Sequence, residues 1–191
     1  MKIIIEGLTG AGKTHLVSAL KKHFENLNQN LKIIYEEETF GELIEDLEKA
    51  HLNDFQRCLR LKKVLSETDI SEKNILLERF HLSYFVFMPD WEFYREIDKK
   101  LSENNFKMIL LHYDQNLFEE RALKRVDMQN TTWTDDTIAY WGSVEKAMEA
   151  YKVSQQRRID CLKLTSLPTL KINTSRMKWD KYLAEILAFA S

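Results

Sequence analysis

The chain has 191 residues, with 28 lysines and arginines against 30 aspartates and glutamates and a formal net charge of −2. That near balance exerts no global pull on a nucleic acid polymer or an anionic membrane, so partners have to be argued from local sites. With 44% hydrophobic residues and only 5 Gly and 2 Pro, the chain can bury a substantial core as a single domain over residues 1–191, which excludes a disordered or low-complexity polymer. Cys58 and Cys161 lie far apart and outside any CxxC or His/Cys spacing, a pattern of reduced thiols rather than of a zinc site or disulfide framework. No stretch approaches the ~18–20 apolar residues that span a bilayer, and the apolar run in MKIIIEG is too short for a secretory leader. The expected location is the cytoplasm.

Short β-branched runs alternate with longer helical patterns, the mark of crossover units that build a parallel sheet. Strands are expected at Lys2–Glu6, Leu31–Glu36, Asn74–Glu78, Lys107–Tyr113 and Thr169–Asn173. Each is rich in Ile, Leu or Val, as strands covered on both faces are. Helical spacing runs from Lys13 to about Leu27, then over Phe40–Lys49 and Asn53–Ser66, with Asn53 as a cap. The stretch from Phe80 is apolar until Pro89 interrupts it, and helical spacing resumes over Trp91–Glu103. Asn116–Arg125 starts another helix, the polar Asp127–Thr132 segment breaks it, and Thr134, Asp135 and Asp136 read as the cap and first turn of a long helix to about Leu164. Thr174 or Ser175 is placed to cap the last helix.

The strongest signal is at Gly7, Leu8, Thr9, Gly10, Ala11, Gly12, Lys13 and Thr14, which satisfy GxxxxGK[ST] without a mismatch. The motif follows a strand and opens a helix, so backbone N–H groups and the positive end of the helix dipole converge on phosphates. In such a loop Lys13 reaches the β- and γ-phosphates of ATP and the Thr14 hydroxyl ligates Mg²⁺. A guanine-reading NKxD run is absent, which leaves a small phosphotransferase or a stand-alone ATPase switch.

At Ile75–Val86, ILLERFHLSYFV, a strand ends in Glu-Arg and continues as a helix. Here the sequence resembles the deoxynucleoside kinases and the related thymidylate kinases. Their phosphate loop, with its preceding Glu-Gly, is similar to IEGLTGAGKT at Ile5–Thr14, and Phe55-Gln56 resembles the Phe-Gln with which deoxynucleoside kinases hold the base. Glu120-Arg121 with Arg125 resembles the start of their arginine-bearing lid, placed at about 116–135. The resemblance implies a three-layer α/β P-loop kinase fold, a five-stranded parallel sheet flanked by helices with a helical lid. It also implies an ATP- and Mg²⁺-dependent transfer to a small-molecule acceptor, and it leaves room for a homodimer.

Each residue has a physical role and a plainer rival. Glu78, at the carboxyl end of a parallel strand, lies where open α/β sheets place ligands and would hold Mg²⁺ through water. Arg79 would grip the acceptor or the transferring phosphoryl oxygens; the rival is a Glu and Arg that pair with each other. In Tyr35-Glu36-Glu37-Glu38 three adjacent carboxylates repel one another, so one facing a crevice suits general-base work; the resemblance implies that the group it deprotonates is a sugar hydroxyl. Glu37, then Glu38, is the preferred base, against a solvated acidic turn. Gln56 and Arg60 share a helix face at i,i+4 spacing, so Gln56 can read a base edge while Arg57 or Arg60 supplies charge, unless the face is solvated. Arg125 is the lid candidate, and Arg121 either stacks near adenine or pairs with Glu119 or Glu120. Tyr84, Trp91, Phe93 and Tyr94 wall an aromatic acceptor pocket or belong to the core. A nucleoside hydroxyl is the leading acceptor, with a nucleoside monophosphate, another metabolite or a protein-facing ATP switch as alternatives.

Overall fold

The computed structural model describes residues 1–39, 54–87, 90–124 and 133–191, with side chains for all of these except 54–57, 87 and 133. Five parallel strands, β1 (Lys2–Gly7), β2 (Lys32–Ile34), β3 (Ile75–Glu78), β4 (Lys107–His112) and β5 (Thr169–Asn173), form one sheet in the order β2-β3-β1-β4-β5. β1 is central because its Ile3-Ile4-Ile5 run can be apolar on both faces, and all three side chains are fully buried. Register is set by Ile5 opposite Glu78 on one side and Gly7 opposite Leu111 on the other.

Helices α1 (Lys13–Asn26), α6 (Val144–Cys161) and α7 (Trp179–Ala190) contribute to the core on one face of the sheet. Helices α2 (Asp54–Glu67), α3 (His81–Phe87) and α4 (Glu92–Glu103) pack against the other, with α5 (Trp133–Trp141) beside α6. Leu16, Val17, Leu20 and Phe24 form the buried stripe of α1, the spacing of an amphipathic helix laid on a sheet. Among the described residues no helix is long and apolar enough to cross a membrane.

Several local expectations are corrected. β2 stops at Ile34, and residues 36–39 turn into a helix rather than continuing the strand. The expected helix over Asn116–Arg125 is a tight 3₁₀ turn, Gln115–Leu117, followed by a π turn, Glu119–Leu123. The long helix from Thr134 is two helices, broken where Gly142 takes a φ of 85° and Ser143 caps α6 by accepting from the Lys146 N–H. Thr134 lies inside α5 and donates to the Leu123 carbonyl at 2.9 Å. Neither Thr174 nor Ser175 caps the last helix, which begins at Trp179. Phe40–Lys49 and the Asn53 cap lie outside the described residues.

Tyr84 and Tyr94 are fully buried, with Trp91 and Phe93 packed against the same cluster. These aromatics are core, so Tyr84 does not line an acceptor pocket; its hydroxyl donates to the Thr39 carbonyl at 2.8 Å. In the same region Asp98 is a buried hub. It accepts from Ser166 N–H (2.7 Å) and Oγ (2.6 Å) and from Thr165 Oγ1, and meets His81 Nε2 at 3.1 Å. Burial alone would push its carboxyl up, but the bonds from His81, Ser166 and Thr165 outweigh this and hold it at about 2. Its stabilisation is therefore complete above the ordinary value of 3.8 and is lost as pH falls through about 2. Asp98→Ala strands these donors and should cost about 3 kcal/mol at pH 7. Urea midpoints should show that loss and show it shrinking as pH falls through the same window.

Candidate active site

The phosphate loop leaves the carboxyl edge of the sheet between β3 and β4, and residues from distant parts of the chain brace it. Tyr113 donates its hydroxyl to the Thr9 carbonyl at 2.6 Å, and Thr174 donates to the Ala11 carbonyl at 3.0 Å. Gly10 and Gly12 have φ of 74° and 91°, which a Cβ disfavours. The space is closed as well: a Cβ on Gly10 would lie 2.1 Å from the Arg121 carbonyl oxygen, and one on Gly12 would lie 2.2 Å from the Trp179 ring. Glycine at these two positions is thus required both by the backbone conformation and by the packing of Arg121 and Trp179 against the loop.

Lys13 opens α1 with its side chain buried, Nζ donating to the Gly7 and Leu8 carbonyls at 3.1 and 3.3 Å. Burial, reinforced by the Arg79 charge, lowers its pKa from 10.5 to about 7. Thr14 is exposed on the same first turn. Glu78 ends β3 at 6% exposure, and burial raises its carboxyl despite the nearby Lys13 charge, with Glu36 and Glu37 pushing it further. A hydroxyl and a carboxylate are the hard oxygen donors that Mg²⁺ takes, and the open helix N-terminus and buried lysine suit a polyphosphate. Thr14, Glu78, Lys13 and the loop amides thus fit ATP·Mg²⁺.

The three carboxylates after β2 diverge because they lie on a helical turn. Glu36 pairs with Arg79, Oε2 lying 3.1 Å from Nε. Glu38 folds back to accept from the Tyr35 N–H at 2.9 Å, while the Glu38 N–H donates to the Tyr35 carbonyl, closing the turn. Glu37 is exposed, and its charge helps raise the Glu78 carboxyl. Strand alternation therefore does not sort them. Arg79 itself has a left-handed backbone, φ 56°, and reaches toward Thr9 Oγ1 at 3.5 Å.

Leu8 and Ala11 are buried loop residues. Arg121 is buried, with its guanidinium 4.4 Å from the centre of the Tyr113 ring and Nη1 donating to the Thr174 carbonyl at 3.1 Å. It braces the loop rather than pairing with Glu119, which bonds Lys124. Arg60 is half-buried on α2; the side chains of Gln56 and Arg57, and all of Arg125, lie outside the described residues.

Sequence reasoning missed the α6 contribution. A cavity of about 650 Å³ opens beside Leu8, Thr9 and Arg79, and α6 supplies Lys146, Arg157 and Arg158 to its walls against one acid, Glu149. No motif marks these positions, since they become neighbours of the loop only when α6 packs on α3.

A family model described as the bacterial DnaA ATPase domain matches residues 2–89. A thymidylate kinase of Mycoplasma genitalium is 27% identical over 128 residues, 60% of this chain and 58% of that protein's length. Among solved structures, the YorR protein of Bacillus subtilis in complex with phosphorylated GDP superposes with a TM-score of 0.61 at 18% identity, covering 98% of this chain and 94% of that one. Deoxyadenosine kinase from M. mycoides with bound dATP gives 0.58 at 16% identity, with 98% of each chain covered. A gluconokinase from Sinorhizobium meliloti 1021 gives 0.61 at 14%, covering 99% and 90%. The DnaA likeness stops at the segment that carries the first three strands, whereas the superpositions run nearly end to end. Strand order and these superpositions show that the chain has the parallel α/β fold of these kinases.

Proposed function

We propose that the chain is an ATP- and Mg²⁺-dependent kinase that transfers the γ-phosphate to a hydroxyl of a nucleoside or nucleoside-like small molecule in the cytoplasm. The observation that carries this reading is the juxtaposition of the braced phosphate loop and buried Lys13 with Glu78, Arg79 and the Glu36–Glu38 turn at one sheet edge. Lys13 and the loop amides hold the polyphosphate; Thr14 and Glu78 hold the cation. Bound Mg²⁺ would neutralise charge on the phosphate oxygens. Glu37 takes the acceptor proton, and Arg79, helped by Arg125 of the lid, stabilises charge spreading in the transition state. Gln56 is assigned to reading the base and Arg57 or Arg60 to supplying charge.

A second reading, a nucleoside monophosphate as acceptor, is favoured by the basic α6 wall of the cavity. A screen of nucleosides, nucleoside monophosphates and hydroxyl metabolites, including aldonates, for acceptor-stimulated ADP release separates the two. Stimulation by a nucleoside supports the first reading, stimulation by monophosphates alone supports the second, and no stimulation by any acceptor leaves only an ATPase switch.

A further inference from the structure

We propose that Glu6 is the positioning residue for Arg79. Glu6 is a charged side chain at 0% exposure, following Ile3, Ile4 and Ile5 in β1, a placement tolerated only when the carboxylate is saturated with donors. Oε1 accepts from the Phe80 N–H at 2.6 Å and the Ser83 N–H at 3.3 Å, and Oε2 accepts from Ser83 Oγ at 2.6 Å. α3 starts at His81, so its cap position is Phe80, whose side chain has no oxygen to offer; the Ser83 N–H is shared between the Phe80 carbonyl at 3.1 Å and Glu6. Glu6 supplies that cap from the neighbouring strand. Arg158 of α6, 3% exposed, reaches the same Ser83 hydroxyl at 3.5 Å and balances the buried charge.

The consequence falls on the residue in between. The Arg79 N–H donates to the Ile5 carbonyl at 2.9 Å, and the next N–H, that of Phe80, goes to Glu6. Consecutive residues of β1 thus clamp consecutive residues of the corner, which fixes Arg79 in a left-handed conformation that a non-glycine residue holds only when its surroundings over-determine it. Since Gly7 follows Glu6 directly, the root of the phosphate loop and Arg79 are set by one rigid unit, with Glu36 trimming the guanidinium at its far end.

The proposal rests on the reading of Arg79 as the catalytic arginine, and its test includes a readout independent of any acceptor. The Arg79 Nε–H resonance, assigned by its absence in Arg79→Lys, should shift and broaden in Glu6→Ala and return toward its native position in Glu6→Gln, whose amide oxygen still accepts both N–H groups. With the acceptor found by screening, Glu6→Ala should lower kcat ~10²-fold with the KM for ATP little changed, and should cost nothing further in an Arg79→Ala background. If Glu6→Ala does not fold, Ser83→Ala replaces it with a smaller shift of the same signal. An Arg79 resonance unmoved in Glu6→Ala (or Ser83→Ala), or losses that multiply with Arg79→Ala, would overturn the assignment. Failure to find an acceptor would count against the kinase reading and leave the spectroscopic result to decide this one.

Discussion

Replacing Lys13 by alanine is expected to cut phosphoryl transfer by ~10²–10³-fold, the scale of losing one preorganised charge at the transferring group, while the fold persists. The ammonium has been brought to a buried place against the Gly7 and Leu8 carbonyls and beside the Arg79 charge, an environment that opposes charge until a polyphosphate arrives. Its pKa of about 7 gives a second, independent signature. The folded value is below the unfolded 10.5, so the unfolded chain binds more protons between the two and stability rises with pH across that window. Below about pH 7 the penalty of burying the charge is fully present. Urea denaturation of wild type and Lys13→Ala from pH 6 to 9 should show the mutant's stability advantage shrinking as pH climbs. Unchanged transfer by a folded Lys13→Ala protein would sink the loop assignment.

The larger question of the acceptor turns on the Glu36–Glu38 turn. If the acceptor is a hydroxyl and Glu37 its base, Glu37→Gln should retain ATP and acceptor binding yet depress single-turnover transfer by ~10²–10⁴-fold. Glu38→Gln should be mild, since an amide oxygen can still receive the Tyr35 N–H that Glu38 holds at 2.9 Å. Were the acceptor a monophosphate, its ionised oxygen would need no base, and both variants would transfer at near-normal rates. Arg79→Ala would then raise the acceptor KM through lost charge-assisted bonds. Near-normal rates in both Glu→Gln proteins would overturn the hydroxyl mechanism.

How much of this was legible beforehand depended on the range of the interactions involved. The loop could be read because GxxxxGK[ST] is a local backbone requirement, and Ile3-Ile4-Ile5 announced a central strand by being apolar at every position. Glu78-Arg79 likewise fell at the strand end where expected. The strand expected to run to Glu36 stops at Ile34, because the reciprocal bonds of Tyr35 and Glu38 compete with extension only once the chain has turned. The break at Gly142-Ser143 did carry a signal, a glycine followed by a capping serine, that the apolar spacing on either side obscured. Glu6 was visible only as the residue before the loop: its function depends on donors 74 and 77 residues away. The same holds for Lys146, Arg157 and Arg158 on α6.

The bracing of the phosphate loop makes nucleotide affinity a late acquisition. The motif is complete by Thr14, yet the hydroxyl that holds the Ala11 carbonyl belongs to Thr174, 163 residues on, and the ring against Gly12 belongs to Trp179. Contacts of such separation form slowly, after β5 has joined the sheet edge beside β4. An emerging chain that has made only the first three strands owns the sequence of a nucleotide site without its shape. ATP and Mg²⁺, binding only after that closure, would stabilise the finished molecule over every partly folded precursor.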